Sequence, residues 1–224
     1  AASDVYKRQE LPDPNKGFSS NTSFIYYNDS ASKIGSFSVQ NRQSITYDEM
    51  PQNLRDAVVS AENRTFWSDP GISVKGMSRA AFSVLRGGDV QGGSTITQQY
   101  IKVLYLSQER TMQRKLKELV LADKMGRKVP KEDILAGYLN TIYFGRGAYG
   151  VQAAAKAYFN IDAKDLDLRQ AAVLAAVLNN PTLFDPSDGP AARERLLGRY
   201  RYVLDGMLEM GRISQNDHDA ASHA

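Results

Sequence analysis

Ala171-Ala-Val-Leu-Ala-Ala-Val-Leu178 is apolar nearly all the way round a helix, and it follows Asp167 and Gln170 at the spacing of a capping box. A helix with no polar face must be covered on every side. The segment therefore predicts the central core helix of a mainly helical domain, ending as Pro181 approaches. Its neighbours in sequence supply the cover. Leu196, Leu197, Tyr200, Val203, Leu204 and Met207 mark the inner face of a last helix over about 191–210, with Gly211 as terminator. Pro130, Glu132 and Asp133 open another helix, in which Ile134, Leu135, Tyr138, Leu139 and Ile142 recur at helical spacing before Gly145, Gly147 and Gly150 loosen the chain.

Further toward the N-terminus, a helix after Ser107 is expected to bury Met112, Leu116, Leu119 and Val120, and another to start at Ser94 or Thr95. From Met50 onward Leu54, Val58 and Ala61 form one face until Pro70-Gly71 breaks it. Residues 74–86 put Val74, Met77, Ala81, Val84 and Leu85 on one side and Lys75, Arg79 and Arg86 on another, with Gly87-Gly88 as the stop. That pattern suits either a surface helix with a solvated basic edge or an interfacial helix that touches lipid. Ser23-Phe-Ile-Tyr-Tyr27 and Lys33-Ile-Gly-Ser-Phe-Ser-Val39 flank Asn28-Asp29-Ser30 and predict a hairpin as the only sheet. Residues 1–21 form a disordered or vector-derived leader and connector, 22–43 the hairpin region, and 44–224 the main domain.

With 224 residues, 42% of them apolar and 24% charged, the chain suits one large globular domain and excludes disorder, collagen and coiled coil. The absence of cysteine removes disulfides, thiolate zinc sites and a cysteine nucleophile together. The two histidines, His218 and His223, lie in a polar tail expected to be mobile, so carboxylates are the expected catalytic groups. A net charge of +3 does not announce nucleic acid, and none is expected as a partner. No run of 18 apolar residues and no signal-peptide pattern occurs, although either can precede this chain in a longer parent.

Three groups of residues could carry chemistry. Glu62 ends an apolar helical face in Val59-Ser-Ala-Glu-Asn-Arg-Thr-Phe-Trp67, where partial burial can make a carboxylate a useful base; the plain alternative is a solvated glutamate paired with Arg64. Gln91-Gly-Gly-Ser-Thr-Ile-Thr-Gln-Gln99 sets two glycines before a helix start, where free amides favour phosphate or pyrophosphate. A nucleotide P-loop is discounted, because Ser94 stands where its lysine should be and no strand leads in. Arg110, Arg114 and Glu118 follow at i, i+4 and make one stripe, bordered by Lys117: guanidinium groups for phosphate oxygens and a carboxylate able to hold a divalent ion, or else a solvated face. Ser30-Ala-Ser-Lys33 matches the serine and lysine signature of penicillin-reactive enzymes by coincidence, since no Lys-Thr-Gly follows.

Glu62-Asn-Arg-Thr-Phe66 through Gly71, Gly92-Gly-Ser-Thr-Ile-Thr-Gln-Gln99, Arg114-Lys-Leu-Lys-Glu118, residues 134–150 and residues 174–181 resemble, in order, the five motifs of family 51 glycosyltransferases. The similarity covers roughly residues 44–211. This family supplies the peptidoglycan glycosyltransferase domain of class A penicillin-binding proteins and the monofunctional transglycosylases. The resemblance implies a lysozyme-like helical head with a smaller hydrophobic jaw at the membrane surface, to which residues 74–86 would belong. It implies Glu62 as the general base and Glu118 as an aid at the donor diphosphate, with magnesium or manganese as an optional bridging ion at Glu118 and no organic cofactor. Lys102, Arg110, Arg114 and Lys115 would neutralise the diphosphate. Ser94, Thr95, Gln98 and Gln99 would line sugar and phosphate subsites, and Asn63, Phe66 and Asn140 fall in the same motifs as substrate-binding positions.

The implied partners are lipid II, the nascent glycan chain, the membrane surface and a transpeptidase domain in the same parent chain, at the outer face of the cytoplasmic membrane. Three positions depart from the family pattern: Asn63 replaces the usual aspartate, Asp69 stands where histidine is common, and Gln170 replaces a frequent glutamate. The first bears on the pH dependence of the reaction rather than on the reaction. The competing readings are a lysozyme-like hydrolase or lytic transglycosylase, which has no need of the phosphate-binding groups, and a non-catalytic membrane-binding scaffold.

Overall fold

The computed structural model describes residues 23–26, 33–37, 41–72, 94–105 and 112–223. The expected leader, the hairpin turn Asn28-Asp29-Ser30, the basic helix over 74–86 with Gly87-Gly88, the Gly92-Gly93 turn and Arg110 lie outside these residues. Strand β1 (Ser23–Tyr26) pairs antiparallel with β2 (Lys33–Phe37), as the alternating pattern predicts. A second sheet corrects the expectation of only one: β3 (Asn41–Arg42) runs parallel to β4 (Ala148–Tyr149). Two-residue strands are too short to leave an alternation signal.

Eight α-helices follow among the described residues: α1 (Gln52–Glu62), α2 (Ile96–Tyr105), α3 (Met112–Lys128), α4 (Lys131–Thr141), α5 (Val151–Phe159), α6 (Leu168–Leu178), α7 (Pro190–Glu209) and α8 (Gln215–Ser222). The Asp167 side chain caps α6 by accepting from the Gln170 backbone, and Gln170 reaches back in return. Helix α6 packs against α1 and α7, and these two pack on each other. Its alanines let the helices approach closely, with Ala171, Ala172 and residues 174–178 buried. Where α1 crosses α7, a Cβ on Gly206 would overlap the Ser60 and Arg64 side chains, and Ser60 Oγ donates to the Val203 carbonyl at 2.8 Å. A second group, α2 on α3 and α4, stands beside this core. No described helix is long and apolar enough to cross a membrane.

The structure corrects four helical expectations. Among the described side chains of α3 the buried ones are Glu118, Leu121, Ala122 and Met125, whereas Leu116 is 55% exposed and Leu119 and Val120 are half-buried. The helix carries two apolar stripes, and a backbone contact selects between them: a Cβ on Gly126 would overlap the Pro70 carbonyl, and one on Gly71 would overlap the Ala122 carbonyl. Bringing Ala122 and Gly126 against Pro70-Gly71 turns Glu118 inward, because it lies i+4 before Ala122 on the same face. Helix α5 was not expected; its alanine-rich segment starts at Gly150 without a side-chain cap and stops at Asn160 in the left-handed region. Helix α8 corrects the mobile tail. A Ser214–Asp217 capping box starts it, the Tyr200 hydroxyl donates to Ala221 O at 3.0 Å, and His218 Nε2 meets Asp205 at 2.8 Å. Finally, Leu197 points outward from α7 rather than into the core.

Candidate active site

Glu62 is the last residue of α1, and its side chain is only 9% exposed. Glu62 Oε2 accepts a hydrogen bond from Gln99 Nε2 of α2 at 2.9 Å, and Gln99 Oε1 accepts one from the Tyr138 hydroxyl of α4 at 2.9 Å. Burial first, and the Glu62 charge second, push the Tyr138 phenol well above its ordinary range, so it remains a donor and fixes the sense of the Gln99 amide. Glu62 Oε1 is buried and accepts no hydrogen bond among the described residues. Its neighbour is Arg199 of α7, whose Nη2 lies 3.6 Å away and donates to Ala61 O at 2.7 Å. One oxygen of the acid is thus held by Gln99 and the other lies buried beside a cation. The expected alternative partner, Arg64, pairs instead with Glu209 and stacks on Tyr202 at 4.7 Å.

The loop after Glu62 is knitted to two helices. Asn63 Nδ2 donates to Asp69 at 2.8 Å, Gly71 N to Asp69 at 2.9 Å, and Lys131 Nζ of α4 to Asp69 at 3.2 Å. Phe66 is a fully buried wedge beneath this loop, with Trp67 edge-on at 5.1 Å and Lys131 over its ring at 4.7 Å. It packs the floor of the loop and lies out of reach of a ligand at the surface.

Thr95 and Gln98, both buried, use their polar atoms on the start of α2. Thr95 Oγ1 accepts from Gln98 N at 3.1 Å and donates to Gly71 O at 2.6 Å, while Gln98 Oε1 accepts from Thr95 N at 2.8 Å. Asn140 clamps the chain before α1, donating to Ile45 O at 2.8 Å and accepting from Ile45 N at 3.0 Å. Ser94 and Lys102 are exposed. Of the expected binding residues, Gln99 alone among these touches Glu62.

Glu118 is 3% exposed and pairs with Lys115, one turn from the contact of Ala122 with Gly71. Arg114 stands one helical turn before Glu118 on α3. Among the described residues no cluster of three acids or histidines could hold a metal ion. A single acid already neutralised by lysine does not fit a resident cation. The loop carrying Gly145 and Gly147 is fastened to the segment beyond α6 by Arg146, which grips Asp185 through Nε and Nη2 at 3.0 and 2.6 Å and lies 4.2 Å over the Tyr158 ring. This guanidinium holds the Asp185 carboxyl far below the usual carboxylate range, and burial pushes the Tyr158 phenol up to about 12.

Sequence reasoning missed Arg199 and the Tyr138 hydroxyl as parts of the site. Tyr138 stood in the fourth motif and on a core face, with no role given to its hydroxyl, and Arg199 lies outside every motif, among other charged residues of α7.

An acid held by one oxygen at the junction of several helices is an arrangement that can serve general-base chemistry. Comparison with known proteins narrows that class. The Transglycosylase family profile matches residues 29–208. The chain is 46% identical over 185 residues to penicillin-binding protein 1A of Mycolicibacterium smegmatis, a match covering 80% of this chain and 23% of that protein. It is 40% identical over 220 residues to penicillin-binding protein 1A of Aquifex aeolicus, covering 97% of this chain and 30% of that one. In fold it resembles the crystal structure of penicillin-binding protein 1A from Haemophilus influenzae, with TM-score 0.50 and 22% identity over 92% of this chain and 20% of that chain. The chain belongs to the transglycosylase family, the glycosyltransferases of peptidoglycan synthesis, and it spans less than a third of the length of these relatives.

Proposed function

We propose that this chain polymerises lipid II into glycan strands, with Glu62 as the general base. Glu62 Oε1 takes the proton from the 4-hydroxyl of the acceptor sugar. The oxygen attacks the anomeric carbon of the growing donor chain, the bond to undecaprenyl diphosphate breaks, and inversion converts an α linkage into a β-1,4 linkage. The observation that carries this reading is the asymmetry of the Glu62 carboxylate, with Oε2 bound by Gln99 and Oε1 buried and without a hydrogen-bond donor among the described residues. A carboxylate fixed through one oxygen, with the other not engaged by those donors, has the geometry a positioned base requires.

The departing diphosphate needs cations. Lys102 on α2 and Lys115 on α3 are within the described residues, and Arg114 and Arg110 extend the same sequence stripe. Glu118, buried against Lys115, orients that lysine, and the reading needs no step through a metal ion. The parent protein carries a transpeptidase domain beyond this chain and works at the outer face of the cytoplasmic membrane, a reading supported by the much greater length of the penicillin-binding relatives.

Incubation of the protein with lipid II, and in parallel with purified glycan, tests the proposal. Growth of long strands from lipid II with the glycan left intact is expected. Soluble fragments from glycan without any polymer would overturn the proposal in favour of a hydrolase.

A further inference from the structure

We propose that Asp69 is a positioning residue for the transfer reaction, and that it works with Asn63 as one donor–acceptor pair. The inference rests on the reading of Glu62 as the base. Asp69 has a side chain only 8% exposed, faces the Lys131 ammonium, and receives three donors from three places in the chain. Asn63 is the residue after Glu62 and ends α1, Gly71 closes the loop, and Lys131 begins α4.

Through these donors the carboxylate closes a ring. From Asp69 the path runs to Gly71 N, then from Gly71 O to Thr95 Oγ1 at the start of α2, along α2 to Gln99, from Gln99 to Glu62, and back through Asn63 to Asp69. A second branch passes through Lys131 and two turns of α4 to Tyr138, which donates to Gln99. Asp69 therefore fixes both helices that hold Gln99 against the base. A buried carboxylate with every oxygen engaged resists displacement, because losing one donor leaves charge without solvent or partner.

The same geometry couples the residue types at positions 63 and 69. A carboxylate at 69 accepts only, so residue 63 must donate, and Asn63 does. Aspartate at 63 would set two acids against each other at hydrogen-bond distance, where like charges repel. Histidine at 69 alone would face the Asn63 amide, the Gly71 N–H and the Lys131 ammonium with a ring that offers a single acceptor. Changing both together turns the pair round, with the acid at 63 and the donor at 69, and leaves the ring's one acceptor for the Gly71 N–H and the Lys131 ammonium.

A double-mutant cycle on the full chain tests this, reading kcat and KM with lipid II and the thermal midpoint of each variant. Asn63→Asp and Asp69→His are each expected to lower kcat about tenfold with KM little changed, and the combined variant to lose clearly less than the two losses multiplied together, since only the contact between 63 and 69 is restored, a coupling of the size seen for contacting polar residues. Asp69→Asn, which preserves shape and one acceptor, is the second arm should a histidine variant fail to fold; it too lowers kcat more than KM.

Losses that simply add in the double variant, or a fall in thermal midpoint with kcat unchanged, would overturn the role of Asp69. Glu62→Gln, run alongside, separates the two readings. If it retains activity while the cycle shows coupling, the base assignment fails and the pairing stands; if it is inactive and the cycle is additive, only the pairing fails.

Discussion

Gln99 donates its side-chain amide to Glu62 at 2.9 Å, and it can do so in only one sense because the Tyr138 hydroxyl occupies its other end. The acid is therefore oriented by a residue from α2 that is itself oriented by a residue from α4. Motifs far apart in sequence meet in one hydrogen-bonded line, and the packing of α2 on α4 becomes part of the chemistry.

Tyr138→Phe removes the donor while keeping the ring. The freed Gln99 oxygen is left half-buried without the Tyr138 donor, at a cost of about 1 kcal/mol, and the amide can turn its oxygen toward Glu62. Steady-state polymerisation kinetics should show kcat lowered by about tenfold or more, with the thermal midpoint lowered modestly.

Gly126→Ala tests the contact that rotates α3. The new methyl would overlap the Pro70 carbonyl and Gly71 N, so α3 must shift away from the loop. Overpacking of this kind costs about 1–3 kcal/mol, or a fall in Tm of roughly 2–4 °C per kcal/mol for a chain of this size. Calorimetry would detect it, and activity should fall as well, because Gly71 anchors both Asp69 and Thr95.

Much of this architecture was legible in the sequence, and its gaps have physical causes. The Asp167–Gln170 box and the apolar run behind it fixed α6, and Pro130 with Glu132 and Asp133 fixed the start of α4. Helix α8 carried an equally readable Ser214–Asp217 box, but it lacks an apolar stripe and passed for a tail. The buried face of α3 was not legible, because Leu116, Leu119 and Val120 compete with Leu121, Ala122 and Met125 and only the approach of Pro70-Gly71 decides. At the site, Glu62 and Gln99 stood in recognisable motifs. Thr95, Gln98, Asn140 and Phe66 also stood in those motifs, yet the fold spends them on caps, clamps and core. Motif membership marks the neighbourhood of a ligand without separating the side chains that face it from those that build its walls.

Acid should loosen the loop around Arg146. The Asp185 carboxyl is held below its ordinary value of 3.8 by Arg146, so its contribution is present above that value and is lost as pH falls through the lower, folded value. Unfolding followed from pH 5 downward should show native stability falling with pH, and Asp185→Asn should flatten that part of the curve. An unchanged slope in the variant would remove this pair from the acid response.

His218 acts in the opposite direction. Hydrogen bonds to Asp205, then Asp219, raise its value above 6.5, so its stabilisation is complete below 6.5 and is lost as pH rises through the raised value. His218→Gln should remove a small decline in thermal midpoint as pH rises above 6.5, and it should leave polymerisation at constant pH unaltered, since α8 packs on α7 at Asp205 and Tyr200 rather than at Glu62.

The most direct test of the central claim is the rate of glycan polymer formation from lipid II by Glu62→Gln. The substitution keeps the size of the side chain and removes its ability to take a proton. The account predicts a loss of at least ~100-fold in kcat, the usual scale for a positioned base, in a protein whose thermal midpoint is little altered. Polymerisation at near the native rate would contradict it.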